Sequence, residues 1–406
     1  MPSVTTDPNR VIVFDTTLRD GEQAPGFSMS GATKVVIAAA LRDLGVDVIE
    51  AGFAAASPGD EDAIRRVCGE IEGPIFCSLS RATEPDILAA HRALHDAPRR
   101  RIHIFLATSP IHRTAKLNMT TDQVLDAAHR SVAFARTMFD AVEFSAEDAI
   151  RTEPEFLAEA LEAAARAGAT TLNIPDTVGY STPNEIGRLF ASLKARIAPH
   201  YPDLVFSAHC HNDLGLAVAN TLAAVEAGAR QIEVAINGIG ERAGNCALEE
   251  AVMALRTRGD QFGVSTGIDT RKLVATSRLV SEATRSPMVR NKAIVGINAF
   301  AHEAGIHQHG VMADARTYEI MRPQDVGFFD GTSLVLGKHS GRHAMTQRAT
   351  FLGYALKGNA LAQVFVAFKR RADEIGLIDD KQLIDIIEAV LADARVEHLG
   401  GANAVA

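Results

Sequence analysis

The amino-acid sequence predicts a (β/α)8 barrel followed by a mainly helical C-terminal appendage. Three observations carry this. Short β-branched runs alternate with longer, Ala-rich amphipathic stretches. Eight such units follow one another before about residue 258. Several amphipathic stretches end in an Ala-Gly or Leu-Gly pair just before the next run, at Gly45, Gly168 and Gly228, which is the usual signal of a helix C-terminus. A doubly wound sheet would have fewer parallel strands and a Gly-rich first turn, whereas the first turn here reads Arg19-Asp-Gly-Glu22.

The first strand, Val11–Thr17, begins with the apolar run Val11–Phe14 and stops in a cluster of charged and amide residues: Asp15, Arg19, Asp20, Glu22 and Gln23. A solvated turn can follow any strand, but charges at the mouth of a buried strand are costly unless something binds there. The helix pattern Gly31–Leu44 comes next. Further strand runs lie at Val46–Gly52, Pro74–Ser80, Arg101–Ala107, Ala141–Glu147, Thr170–Asp176, Leu204–His211 and Gln231–Asn237. Helical periodicity fills the gaps between them, as in Pro154–Ala167 and Leu216–Ala227. Beyond Arg258 the pattern changes. Residues 269–286 read as a helix broken at Ser286-Pro287, and residues 290–343 as a loop-rich stretch holding His302, His307, His309, His339 and His343. Val364–Glu374 and Lys381–Ala392 read as two further helices. The expected division is a tail over 1–10, a barrel with its following helix over 11–285, and linker and helical subdomains over 286–406.

Composition narrows the class. With 406 residues, 47% hydrophobic and 22% charged, the chain has the balance of a globular enzyme. The net charge is −9 and Arg99–Arg101 is the one basic block, so a nucleic acid is not an expected partner. Residues 1–10 lack the apolar core of a signal peptide, and no run of about 18 apolar residues exists to span a membrane. Cys68, Cys77, Cys210 and Cys246 show no CxxC spacing, which argues against a disulfide framework or a cysteine zinc site. A cytoplasmic, reducing setting is expected.

Barrel enzymes place their chemistry at the C-terminal ends of the strands. Strand 7 ends in His209-Cys-His211, and residues i and i+2 of a strand share a face, so both imidazoles can point at one place while Cys210 faces the helix layer. Closure of the barrel brings strand 1, and with it Asp20, close to strand 7. Asn245, in the turn after strand 8, can add an oxygen. Two His, one Asp and one Asn form a mixed N/O set with room for a chelating substrate, suited to Zn²⁺, Mn²⁺ or Mg²⁺. The same parity recurs in His103 and Phe105, in Ser145 and Glu147, and in Asn173, Pro175 and Thr177. For any one of these a satisfied buried polar group is the ordinary explanation. Five strands contributing at one level is not an ordinary coincidence.

With these residues in view, the chain resembles the 2-isopropylmalate synthase family, among the metal-dependent Claisen-condensing barrels. The similarity runs from about Val11 to about Arg395. It rests on FDTTLRDGEQ (14–23), SPGD (57–60), NIPDTVGY (173–180), HCHNDLGLAVAN (209–220), NGIGERAGNC (237–246), NKAIVGINAFAHEAGIHQ (291–308) and YEIMRPQDVG (318–327). The resemblance implies condensation of acetyl-CoA with 3-methyl-2-oxobutanoate to give 2-isopropylmalate, on the route to leucine. It implies a divalent metal (Mn²⁺, Mg²⁺ or Zn²⁺) and allows activation by a monovalent cation. Carried onto matching positions, Asp20, His209 and His211 bind the metal with Asn245 beside it, and Arg19 stabilises the enolate oxygen. Glu147, His307 and Tyr318 handle the protons, and His103, Ser145 and Thr177 contact the 2-oxo acid. Phe105 and Pro175 are expected pocket walls, with Asn173 on the same face as Pro175. His307 and Tyr318 lie outside the barrel, so residues 290–343 are expected to complete an active site, in this family usually that of the neighbouring subunit of a homodimer.

Two departures and three rivals accompany the resemblance. Family members usually read His-Gln-Asp-Gly where this chain has His307-Gln308-His309-Gly310. Many continue into a leucine-binding regulatory domain, and the sequence given stops at Ala406, from which insensitivity to leucine is expected. Homocitrate and citramalate synthases share the chemistry and differ in the 2-oxo acid. Pro175, Tyr180 and the lack of an obvious basic residue for a second carboxylate favour the branched apolar substrate. A metal-dependent acyl-CoA lyase is the rival of another class, and the cysteine-bearing Gly-rich loop expected of one is not apparent.

Overall fold

Eight parallel strands close on themselves in chain order: β1 (Ile12–Asp15), β2 (Val48–Glu50), β3 (Ile75–Arg81), β4 (Arg100–Ala107), β5 (Val142–Glu147), β6 (Thr171–Asp176), β7 (Val205–Cys210) and β8 (Gln231–Val234). Closure is direct, with Phe14 opposite Val48 on one side and Glu233 on the other. The computed structural model describes residues 7–329 and 333–401. It divides into two units, Met1–Met288 and Val289–Ala406. Each strand of the first unit is followed by a helix: α1 (Gly31–Leu44), α2 (Pro58–Glu70), α3 (Glu84–Ala93), α4 (Thr121–Arg136), α5 (Pro154–Arg166), α6 (Pro183–Ile197), α7 (Ala217–Glu226) and α8 (Leu248–Thr257). A last helix of this unit, α9, spans Leu273–Ala283. The fold is the expected (β/α)8 barrel.

Local chemistry sets the helix ends. The Ser30 hydroxyl accepts from the Thr33 amide at the start of α1, and Ser57 does the same for Asp60 at the start of α2, with Pro58 in the first turn. Thr120 with Gln123 and Thr182 with Glu185 form reciprocal capping boxes on α4 and α6. At the other end of α1, Gly45 is left-handed at φ 93°, where a side chain would also collide with the Gly267 carbonyl.

Several strand ends differ from the sequence reading by one to three residues, and two of them have a visible local cause. β1 stops at Asp15, not Thr17, because the Asp15 carboxylate accepts from the Thr17 amide (2.9 Å) and hydroxyl (3.0 Å) and pulls the chain into a wide turn over Thr17–Gly21. β8 stops at Val234, and Ile236–Gly238 is a short turn in which Asn237 has φ 62°.

The barrel interior is split by polarity. Ile12, Phe14, Val48, Ile75 and Cys77 pack together on the β1–β3 side. The lumen also holds polar residues: Arg101, Glu143, Gln231 and Glu233 are all buried. Arg101 on β4 donates to Gln231 on β8 (2.7 Å) and to Glu143 on β5 (3.1 Å), and Gln231 donates to Glu143 (2.7 Å). Contacts between non-adjacent strands can form only through the lumen.

The second unit holds α10 (Gly305–Ala313), α11 (Arg342–Phe351), α12 (Gly358–Ile375) and α13 (Asp380–Gly401) around a core that includes Met345, Val364, Phe368, Leu383 and Ile387. α12 and α13 extend the helices expected at Val364–Glu374 and Lys381–Ala392. α10 lies inside the stretch expected to be loop-rich. Among the described residues no helix is long and apolar enough to cross a membrane.

Candidate active site

The C-terminal ends of the strands surround a cavity of about 340 Å³ in the first unit. Arg19, Asp20, His103, Phe105, Ser145, Glu147, Asn173, Pro175, Thr177, His209 and His211 all line it, as do Gln23, Phe53, Leu79 and Lys116. The barrel thus gathers these sequence-predicted residues in one place.

Asp20, His209 and His211 are buried, with donor atoms all within 4.8 Å of one another. His209 Nε2 and His211 Nε2 are 3.1 Å apart, and Asp20 Oδ2 lies 3.8 and 4.0 Å from them. Metal bonds of about 2.0–2.2 Å place neighbouring ligand atoms at about this spacing. Burial pushes the histidines down to about 4 and about 3, so both are neutral and can offer lone pairs. Burial would raise Asp20, but the Arg19 guanidinium, helped by the Glu241 amide, overcomes it and holds the carboxyl well below its usual range. Asn245 pairs with His211 through an isolated backbone bridge. Its side-chain oxygen is buried and has no hydrogen-bond partner among the described residues, as suits an oxygen reserved for a ligand. A Cβ at Gly240 would meet the Asn245 amide and, at 2.9 Å, Asp20 Oδ1, so only glycine lets the β8 turn come this close. Instead the Glu241 amide of that turn donates to Asp20 Oδ1 at 3.0 Å.

Arg19 and His103 are joined through Glu50, a residue the sequence reading missed. Glu50 accepts from Arg19 Nε at 2.6 Å and bonds His103 Nδ1 at 2.8 Å, while Arg19 Nη1 donates to Asp20 at 2.7 Å. Despite burial, Glu233 and Glu50 push His103 up to about 9, so its ring is charged near neutrality. His103 Nε2 is buried without a partner among the described residues. Glu233, also missed, holds His209 Nδ1 at 2.9 Å. It forms a second buried acid–imidazole group with His103 and Glu143. Burial drives Glu233 and Glu143 up to about 7 each. Glu143 shares a face with Ser145, which was read, so the period of two could have found it; Glu233 lies on a strand where no site residue was read.

At the rim, Lys116 donates to Glu147 at 2.7 and 2.9 Å, and the Lys116 ammonium stands 5.9 Å above the Phe105 ring. The Ser145 hydroxyl accepts from Asn173 at 3.0 Å, and the Thr177 hydroxyl accepts from the Asp148 amide at 2.9 Å. Tyr180, expected near the substrate, is 64% exposed, and its amide donates to Asp176. The Asp176 carboxylate also accepts from the Ser181 amide, which folds the turn so that the phenol points to solvent.

The family model described as HMGL-like matches residues 10–280, and the one described as homocitrate synthase post-HMGL domain-like matches residues 294–375. Curated relatives cover almost the whole chain. It is 54% identical over 384 residues to the 2-isopropylmalate synthase of Rhodopirellula baltica, spanning 95% of this chain and 72% of that protein. Identity to the 2-isopropylmalate synthase of Aquifex aeolicus is also 54%, over 93% of this chain and 72% of the relative. The chain belongs to the 2-isopropylmalate synthase family. Among solved structures, the HMG-CoA lyases of Brucella melitensis (TM-score 0.58, 21% identity, 68% of this chain and 100% of that one) and Pseudomonas aeruginosa (0.57, 19%, 69% and 95%) share the fold.

In this member of the 2-isopropylmalate synthase family, His307 and Tyr318 lie in the second unit. Their ring centroids are 4.4 Å apart, and the His302 ring lies 6.3 Å from each. His302 Nε2 is 3.8 Å from Glu319. His309, where the family resemblance leads one to expect Asp, has its ring 6.1 Å from that of His343. Gln308 turns inward to donate to the His302 and Val335 carbonyls, both at 2.9 Å.

Proposed function

We propose that this chain condenses acetyl-CoA with 3-methyl-2-oxobutanoate, with water, to give 2-isopropylmalate and free CoA. The observation that carries the reading is the union, in one cavity, of Asp20, His209 and His211 with the Arg19–Glu50–His103 chain. Asp20, His209 and His211, with Asn245 beside them, would hold a divalent ion, Mn²⁺, Mg²⁺ or Zn²⁺. Such an ion, when bound, polarises the keto group of the 2-oxo acid for attack.

The chain's own residues supply the rest. Arg19, kept charged and aimed by Glu50, stabilises the enolate oxygen formed when the acetyl methyl loses its proton. His103, charged and with Nε2 unengaged, donates to the 2-oxo acid, and Ser145 and Thr177 fix its other oxygens. Phe53, Leu79, Phe105 and Pro175 give the pocket an apolar side suited to an isopropyl group. Glu147, His307 and Tyr318 move the protons: one leaves the methyl, and one reaches the new alkoxide as the carbon–carbon bond forms. Water then cleaves the thioester, releasing the thiol of CoA.

The test is thiol release from acetyl-CoA across a panel of 2-oxo acids, before and after chelator treatment. 3-Methyl-2-oxobutanoate should be preferred, and chelation should abolish turnover until a divalent ion is restored. A preference for 2-oxoglutarate or pyruvate would move the assignment to homocitrate or citramalate synthase.

We further infer a homodimer in which His307 and Tyr318 serve the partner's barrel, a reading supported by the family resemblance. Glu147→Ala and His307→Ala chains, each inactive alone, should recover activity when mixed. No recovery in verified mixed dimers would mean that each chain completes its own site.

A further inference from the structure

Lys34, on α1, is 1% exposed, and nothing in the proposed chemistry uses it. A buried ammonium is expensive, and a Leu or Met would fill the same helix position without that cost. The charge is nonetheless fully engaged. Lys34 Nζ donates to the carbonyls of Leu18 (3.1 Å) and Ala51 (3.3 Å), pairs with Glu22, and lies 3.9 Å from Asp60 in the first turn of α2. The partners are informative. Leu18 immediately precedes Arg19, and Ala51 immediately follows Glu50, so the ammonium ties together the backbone beside each member of the Arg19–Glu50 pair. Glu22 anchors the same turn on its far side, two residues after Asp20. The glycine after Ala51 permits the approach, since a Cβ at Gly52 would stand 3.3 Å from Nζ.

The geometry points to Lys34 as a positioning residue that locks the β1 turn to the end of β2, fixing where Arg19 and Asp20 stand relative to Glu50. An apolar side chain would pack α1 but bind neither carbonyl. Arginine is too broad and forked for a point where two carbonyls and a carboxylate converge. The inference rests on the proposed roles of Arg19 and Asp20.

Lys34→Met keeps the unbranched stem as far as its fourth atom and removes the ammonium. We expect kcat for thiol release to fall by about ten- to a hundredfold. KM for the 2-oxo acid should change less. The dissociation constant of Mn²⁺ from chelator-stripped protein, read by titration calorimetry, should rise by about tenfold. A lysine that only supports the fold would lower the melting temperature and leave kcat per folded molecule and Mn²⁺ affinity at wild-type values, and that result overturns the inference. Should Lys34→Met fail to fold, Glu22→Gln loosens the clamp from its rim: a smaller loss in both readouts supports the inference, and wild-type values in both overturn it. An unsubstituted chain that binds no Mn²⁺ overturns the reading of the metal site instead, so the two failures are distinguishable.

Discussion

His209 and His211 stand two residues apart on one strand, yet their rings are held differently. Glu233 accepts from His209 Nδ1 at 2.9 Å, which fixes the tautomer and leaves Nε2 free for a ligand. His211 Nδ1 is buried with no hydrogen-bond partner among the described residues. The proposed ion would therefore depend on Glu233 for the orientation of one imidazole only. Glu233→Gln keeps the shape but removes the charge that holds the Nδ1 proton. We expect metal affinity, measured on stripped protein, to fall by about ten- to a hundredfold. Unchanged affinity would mean that packing alone orients His209.

At the scale of elements, strand parity made much of the site legible and its neglect hid the rest. The HxH of β7, Ser145 with Glu147 on β5, and Asn173 with Pro175 on β6 were readable because residues two apart share a face. Continuing the same parity inward leads from Glu147 to Glu143 and from His103 to Arg101, the network that fills the lumen beneath the site. Those residues went unread because a charged residue in mid-strand is ordinarily taken to face solvent, and only closure of the barrel supplies its partners across the lumen. Lys34 is hidden for a similar reason. Its helix signals an ordinary amphipathic pattern, and its burial follows from carbonyls contributed by two other elements. Lys116 sits in a single wide helical turn, Arg113–Leu117, too short to show a period. In the second unit, α10 opens on Gly305 and carries Gly310 in its interior, which costs about 1 kcal/mol relative to Ala, so the local signal was that of a loop. A helix with a side-chain cap and no interior glycine, such as α1, was visible.

At the scale of the whole molecule, the buried ionisable groups of the barrel predict how stability follows pH. His209 and His211, depressed to about 4 and about 3, stay neutral where the unfolded chain would protonate them, so their contribution is lost as pH falls below about 6.5. Asp15, Glu143 and Glu233, raised to about 7, keep protons the unfolded chain would release, so theirs is lost as pH rises from about 4.5 to 7. The two sets oppose one another in mildly acidic solution and largely cancel. Above pH 7 only His103 among these six still differs between the folded and unfolded states. Its folded value of about 9 lies above the ordinary 6.5, so the stability it contributes is present below 6.5 and is lost as pH climbs through 9. One proton over that window amounts to on the order of 2–3 kcal/mol. The melting temperature of the metal-stripped chain should therefore fall by roughly 3 °C between pH 7 and pH 9. The fall should shrink in His103→Gln, which cannot take up the proton, leaving the part that the buried thiols of Cys68, Cys77 and Cys210, raised by burial, begin to contribute near pH 9. A melting temperature that holds or climbs over this interval would mean that His103 is neutral in the fold. It would then lack the second N–H that the proposed contact with the 2-oxo acid requires.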